Sequence, residues 1–309
     1  MTPAERRGLW LGFAGVAIFA LTLPMTRLAV GTPQAPLMSG VFVALGRAAV
    51  AGVLSVLFLL AHRAPLPRGA EWRALAITAG GVVFGFPVCT SIAMRHVEAV
   101  HASVIVGVLP LATALVGALL HRQRPSRGFW ACAALGSLLV VAFALLRSGS
   151  ILALHGADAL LLLAMAFAAV GYAWGARLSQ RMRAEYVICW ALVLSLPLTA
   201  PLAFWTRPQA ALPAGAWLGF GYVALFSMWI GFFAWYRGLA QGGTVRVSQV
   251  QLLQPFMSMV FAVPLLGERL DALSVGFALA VIATVFVGRR MPVGRSPATP
   301  VLSPAVESR

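Results

Sequence analysis

The chain has 309 residues, of which 61% are hydrophobic and 10% charged, against roughly 25% charged in an ordinary soluble domain. So few charges cannot coat a soluble surface of this size, and runs of about 20 apolar residues, the length that crosses a hydrocarbon core of about 30 Å, recur along nearly the whole sequence. All 23 basic side chains are Arg and the formal net charge is +15, yet they stand singly or in small groups between apolar runs, as in membrane loops, not in the basic face that nucleic acid requires.

The apolar runs and their Arg, Pro and Gly punctuation predict an all-α integral membrane protein of ten transmembrane helices, at 8 to 29, 36 to 61, 73 to 94, 99 to 120, 128 to 146, 158 to 178, 186 to 205, 215 to 236, 246 to 266 and 272 to 289. The first apolar run is too long for a typical signal peptide and reads as a span. Glu98, Asp158, Thr244 and Asp271 stand at span starts, where a helix N-terminus favours an acceptor or a negative charge. Cys89, Cys132 and Cys189 lie inside apolar runs without close spacing. They read as small buried hydrophobes and not as a disulfide framework or a zinc site. The Pro- and Ser-rich tail, 291 to 309, is expected to be disordered.

With a cytoplasmic N-terminus, the segments on that side hold 17 of the 23 Arg. The opposite segments hold only Arg27, Arg95, Arg147, Arg207 and Arg269, and Arg47 remains inside a span. The bias places both termini in the cytoplasm of an inner or plasma membrane, which requires an even number of spans.

Sliding the chain by 145 positions superimposes "VHASVIVGVLPLATALVGALLHRQR", from Val100, on "VRVSQVQLLQPFMSMVFAVPLLGER", from Val245. Ser103 then falls on Ser248, Pro110 on Pro255 and Thr113 on Ser258. The expected organisation is therefore a first five-helix repeat at 1 to 146, a second at 147 to 290 and the tail. Five is odd, so the copies must enter the bilayer in opposite senses, which puts a binding site near the midplane beside interrupted helices. Pro110 and Pro255 are the expected interruptions, since each removes a backbone hydrogen bond.

These features resemble the drug/metabolite transporter superfamily, in particular its EamA-type ten-helix members. The likeness is closest at "FFAWYRGLAQGGTVRVSQVQLLQPFMSMVFAVPLLGERL", Phe232 to Leu270, and the span plan extends it over 8 to 290. The first copy departs from the pattern by ending in His121-Arg122-Gln123, and the first span shows Thr22, Pro24 and Thr26 where a Trp-Gly pair is common. The resemblance implies a transporter for a small metabolite, such as an amino acid or a related compound, and export as the direction.

Among candidate site residues, Arg47 is the sharpest. A charge at mid-span costs roughly 2.5 to 3.5 kcal/mol on insertion scales, so Arg47 must face protein or a wet cavity. It serves either as counter-charge to an anionic group on the substrate, such as a carboxylate, or as a structural Arg satisfied by carbonyls of broken helices. No Asp or Glu lies deep in a span to pair with it.

Ser248, Gln251, Pro255 and Ser258 share about 80° of a helix, and Ser103, Pro110 and Thr113 repeat the stripe. These hydroxyls and the amide line a pathway or join helices. Thr22, Tyr172 and Trp229 are further candidates for substrate contact. His101 is the one plausible titrating group for proton coupling. His96 and His101, five residues apart, do not share a helix face as a zinc pair at a spacing of four would. No metal or cofactor is expected, and the expected partners are a small-molecule substrate and the lipid bilayer, with pairing to a second copy left open.

The leading expectation is a secondary transporter that rocks one inverted half against the other. An intramembrane enzyme would need convergent catalytic groups at membrane depth, where only Arg47 and His101 are offered. A non-transporting membrane subunit would lack a central cavity.

Overall fold

Thr2 and Glu5 begin the fold by capping one another: the Glu5 amide donates to the Thr2 hydroxyl at 3.2 Å and the Thr2 amide to the Glu5 carboxylate at 2.8 Å. That reciprocal box satisfies two donors a helix start leaves open. The computed structural model describes residues 2–97, 99–107, 109–120, 123–148, 156–266, 272–288, 290–291 and 293–295, and is mostly helical.

In chain order the helices are α1 (Pro3–Ala20), α2 (Thr22–Val30), α3 (Gly40–Ala61), α4 (Ala70–Ala79), α5 (Phe86–Ala93), α6 (Ala99–Val106), α7 (Leu109–Leu120), α8 (Arg127–Ser148), α9 (Gly156–Leu178) and α10 (Ala184–Trp205). They continue as α11 (Ala214–Tyr222), α12 (Gly231–Gly242), α13 (Thr244–Ser248), α14 (Gln254–Leu266) and α15 (Ala272–Gly288). A π segment, Gly80–Gly85, joins α4 to α5, and a second, Val223–Ile230, joins α11 to α12. A tighter 3₁₀ turn, Gln249–Leu253, joins α13 to α14. The π segments fall at matching places under the 145-residue shift, since 80 to 85 maps onto 225 to 230.

Among the described residues, six helical stretches are long and apolar enough to cross a bilayer: Pro3–Val30, Gly40–Ala61, Ala70–Ala93, Gly156–Leu178, Ala184–Trp205 and Ala214–Gly242. The surface supports that reading. Leu60, Leu119, Leu138, Leu198, Leu218 and Leu279 are exposed, while Thr22, Arg47, Thr113, Gln251 and Gln254 are buried. An apolar outside around a partly polar inside suits lipid as the solvent. The protein is a multi-pass membrane protein.

The helix interruptions follow from proline. Pro24 has no N–H for the carbonyl four residues back, that of Ala20, and α1 ends there before α2 resumes. Pro110 and Pro255 sit in the first turns of α7 and α14. A missing N–H costs nothing in a first turn, so the irregular backbone lies just before each proline and not on it.

Packing pairs distant parts of the chain. α1 lies along α12, α9 along α4 and α5, α3 along α10, α6 along α14, α7 along α13 and α8 along α15. The 145-residue shift carries the α1–α12 pair onto the α9–α5 pair, exchanges α6–α14 with α7–α13, and maps α3–α10 and α8–α15 onto themselves. Two seams are backbone on backbone. A Cβ on Gly238 would come within 2.7 Å of the Gly12 nitrogen, and one on Gly81 within 2.8 Å of the Gly171 nitrogen. Small residues permit this close approach, which replaces the hydrophobic drive that lipid cannot supply.

One expectation needs correction. The tail does not leave the fold at 291: Val293–Arg295 pairs antiparallel with Gln123–Pro125, with Arg124 opposite Gly294. Composition registers Pro and Ser but not the exposed backbone of a distant loop that accepts these bonds. Residues 296–309, like Glu98 and Asp271, lie outside the described residues.

Candidate functional site

Arg47 projects from α3 into a cavity within the helix bundle. It is 1% exposed, and its Nε and Nη1 have no hydrogen-bond partner. The other polar groups of the wall are Thr22 at the start of α2, Tyr172 of α9, Ser227 of the second π segment and Gln254 at the start of α14. The Thr22 and Ser227 hydroxyls are hydrogen-bonded at 2.8 Å, closing one side. Phe19, Phe86, Phe232 and Met228 supply the apolar wall. Phe19 lies flat above Tyr172 with centroids 6.4 Å apart, and Phe232 meets Phe19 at 5.1 Å.

The cavity volume is about 20 Å³, about the room one water needs. Among the described residues no carboxylate borders it. The site is thus small, carries one cation and presents aromatic faces.

Two other arginines show what a carbonyl-satisfied Arg looks like in this protein. Arg27 donates from Nη1 to the carbonyls of Met94, Arg95 and Val97, at 2.6, 3.1 and 3.2 Å, closing the end of α5. Arg95 donates to the Met38 carbonyl at 2.7 Å. Both lie at helix ends, where backbone oxygens are free. Arg47 sits amid an intact helix whose carbonyls are already bonded, so Nε and Nη1 find no such partner.

Of the residues that the sequence singles out, the fold brings Thr22, Arg47 and Tyr172 to the cavity wall. The polar stripe of α13 and α14 divides. Ser248 donates to the Val245 carbonyl at 2.9 Å within its own helix, and Ser258 donates to the Ala20 carbonyl. Gln251 is 2% exposed with both amide atoms unpartnered, but it does not border the cavity. Thr113 is fully buried in α7 away from it, its hydroxyl unpartnered. Trp229 packs against Phe58 and Phe233. The side chains of His101 and Ser103 lie outside what is described.

Ser227 and Gln254 are wall residues that sequence reasoning missed. Gln254 had a signal, since it stands one residue before Pro255 and three after Gln251, on the same face. Ser227 had none, because its direction is set by a π turn that composition does not mark.

A multi-pass helical protein with a buried charge in a small cavity among its spans fits the class of membrane transporters. The EamA-like transporter family matches residues 6–146 and again 155–289, and the chain is a member of that family. It is 46% identical to an uncharacterized transporter of Bacillus subtilis (strain 168), YdeK, over 91% of this chain and 96% of that protein. It is also similar in fold to a protein of known crystal structure, with a TM-score of 0.70 at 17% identity, over 91% of this chain and 97% of that one.

Proposed function

We propose that the protein is a secondary transporter that exports a small metabolite carrying a carboxylate, an amino acid or a related compound, by alternating access. The observation that carries this reading is Arg47, a buried cation unpaired at Nε and Nη1 in a cavity whose wall draws on both copies of the repeat. A buried charge is tolerated when it is paired. A substrate carboxylate is the group that suits a guanidinium best, through two parallel charge-assisted hydrogen bonds.

Among the described residues the wall offers no carboxylate to a substrate ammonium group. To a cation the described wall offers hydroxyl and amide oxygens and the faces of Phe19, Phe86, Tyr172 and Phe232, but no opposite charge. Carboxylates with a neutral or acylated amine therefore fit better than free zwitterions. Several apolar residues in the wall suit an amphipathic body.

The transport cycle in this reading rests on two inverted five-helix copies. The exchange of packing partners under the 145-residue shift and the matched π segments support it. Both termini lie in the cytoplasm and the protein resides in the cell membrane, as the Arg bias of the loops favours. With room for about one water, the cavity must widen when solute enters.

The test is flux into proteoliposomes of purified protein, over a panel of free amino acids, their N-acylated forms and simple carboxylates, with and without a proton gradient. The expected result is saturable flux of carboxylates, lost in Arg47→Gln. Flux no faster than through empty liposomes for every member of the panel would overturn the proposal.

A further inference from the structure

A second cavity, of about 270 Å³, opens between the first turns of α4 and the last turn of α9 and its exit, and shares no lining residue with the first. Arg73 enters it from α4, while Arg177 and Arg181 enter from α9 and the turn after it. Trp174 forms the floor, with the Arg177 guanidinium 5.4 Å from its ring centroid. Glu71 also borders the groove, but its carboxylate accepts the Arg68 amide at 2.8 Å and holds the start of α4. Among the described residues the three arginines have no ion-pair partner.

The position is as informative as the charge. α4 begins and α9 ends at this edge, the edge where α1 begins, and Trp72 meets Trp190 there edge to face with centroids 6.0 Å apart. Tryptophans gather at the level of lipid headgroups. Phe167, 37% exposed, lies seven residues before Trp174 on the same face of α9, which places it about 10 Å deeper into the hydrocarbon.

We propose that this groove binds the phosphate of an anionic phospholipid, with an acyl chain running down α9 past Phe167. Guanidinium groups match phosphate oxygens in pairs. Three guanidiniums against one engaged carboxylate favour a headgroup of net negative charge over a zwitterionic one, whose own cation they repel. Basic pockets between helices at the cytoplasmic level are the usual seats of such lipids. α4 and α9 belong to different copies of the repeat, so a bound lipid bridges the two.

The experiment is native mass spectrometry of the full chain, released from micelles containing phosphatidylglycerol or phosphatidylcholine of matched chains. Wild type is expected to retain phosphatidylglycerol roughly tenfold better, since each basic side chain contributes to such attraction. The pair Arg177→Gln with Arg181→Gln loses that preference, and Arg177→Lys with Arg181→Lys keeps most of it. Arg73→Gln, on the other helix, reads the same loss should the double variant fail to fold. A preference unchanged in both Gln variants overturns the proposal, as does complete displacement of the lipid by millimolar inorganic phosphate.

Discussion

The hydroxyl of Ser258 on α14 donates to the carbonyl of Ala20, the oxygen that Pro24 leaves without its helical donor. A break in one span is thus repaired from another, 238 residues away. Removing the hydroxyl in Ser258→Ala is expected to cost about 1 kcal/mol, within the range for hydrogen bonds between membrane helices. The cost should shrink in a Pro24→Ala background, where the residue-24 amide can bond Ala20 itself. A double-mutant cycle by unfolding in mixed micelles checks this, and an equal cost in both backgrounds would refute the repair.

Arg47 sets stability against activity. Arg47→Leu replaces a buried charge lacking partners at Nε and Nη1 with a volume that packs, and is expected to stabilise the protein by about 1 to 4 kcal/mol. The same change should weaken apparent substrate affinity by roughly 10- to 100-fold, the worth of a hydrogen bond to a charged group. Melting temperature and flux measured on one preparation decide the matter. A variant that melts lower and still transports would contradict both halves.

The glycine seams give a steric prediction. Gly238→Val places atoms where the Gly12 backbone lies, whereas a Cβ on Gly276 of α15 meets nothing within 4 Å. Gly238→Val should lose about 1 to 3 kcal/mol or more through overpacking, while Gly276→Val leaves yield and melting temperature near wild type. Size-exclusion profiles and thermal melts distinguish them.

Glu5 of α1 pairs with Arg246 of α13 at 2.9 Å, with 32% and 18% of the side chains exposed. Such a pair contributes under about 1 kcal/mol to stability, but it joins the two copies at one end of the bundle. Glu5→Gln is expected to leave the melting temperature nearly unchanged and to speed thiol labelling of a Gln251→Cys reporter just beyond α13. The swap of Glu5→Arg with Arg246→Glu should restore the slow rate. Equal labelling in all three would show that the pair holds nothing shut.

Six of the expected spans were legible because lipid imposes a single coarse rule, and the ends of α9, predicted at 158 and 178 and found at Gly156 and Leu178, show how closely apolar runs mark them. Arg47 was legible for the same reason, as a charge in an apolar run. Direction around a helix was not. Ser248 and Ser258 share a face with Gln251 on an ideal helix, yet the 3₁₀ turn between them alters the phase, and hydroxyls bond whatever carbonyl is near. Ser227 borders the cavity because a π turn rotates it there, and the strand at Val293–Arg295 depends on a partner some 170 residues earlier. These depend on where backbones meet in space, which one-dimensional periodicity does not record.

The glycine contact of α12 with α1 has a mechanical meaning. Where main chains touch directly, no side chain can swing aside to open a gap, so α1 and α12 form one strut, and the Gly81–Gly171 seam ties α9 to the third span in the same way. Each strut takes one member from either copy of the repeat. Both of these main-chain seams are therefore made across the duplication and not within either half.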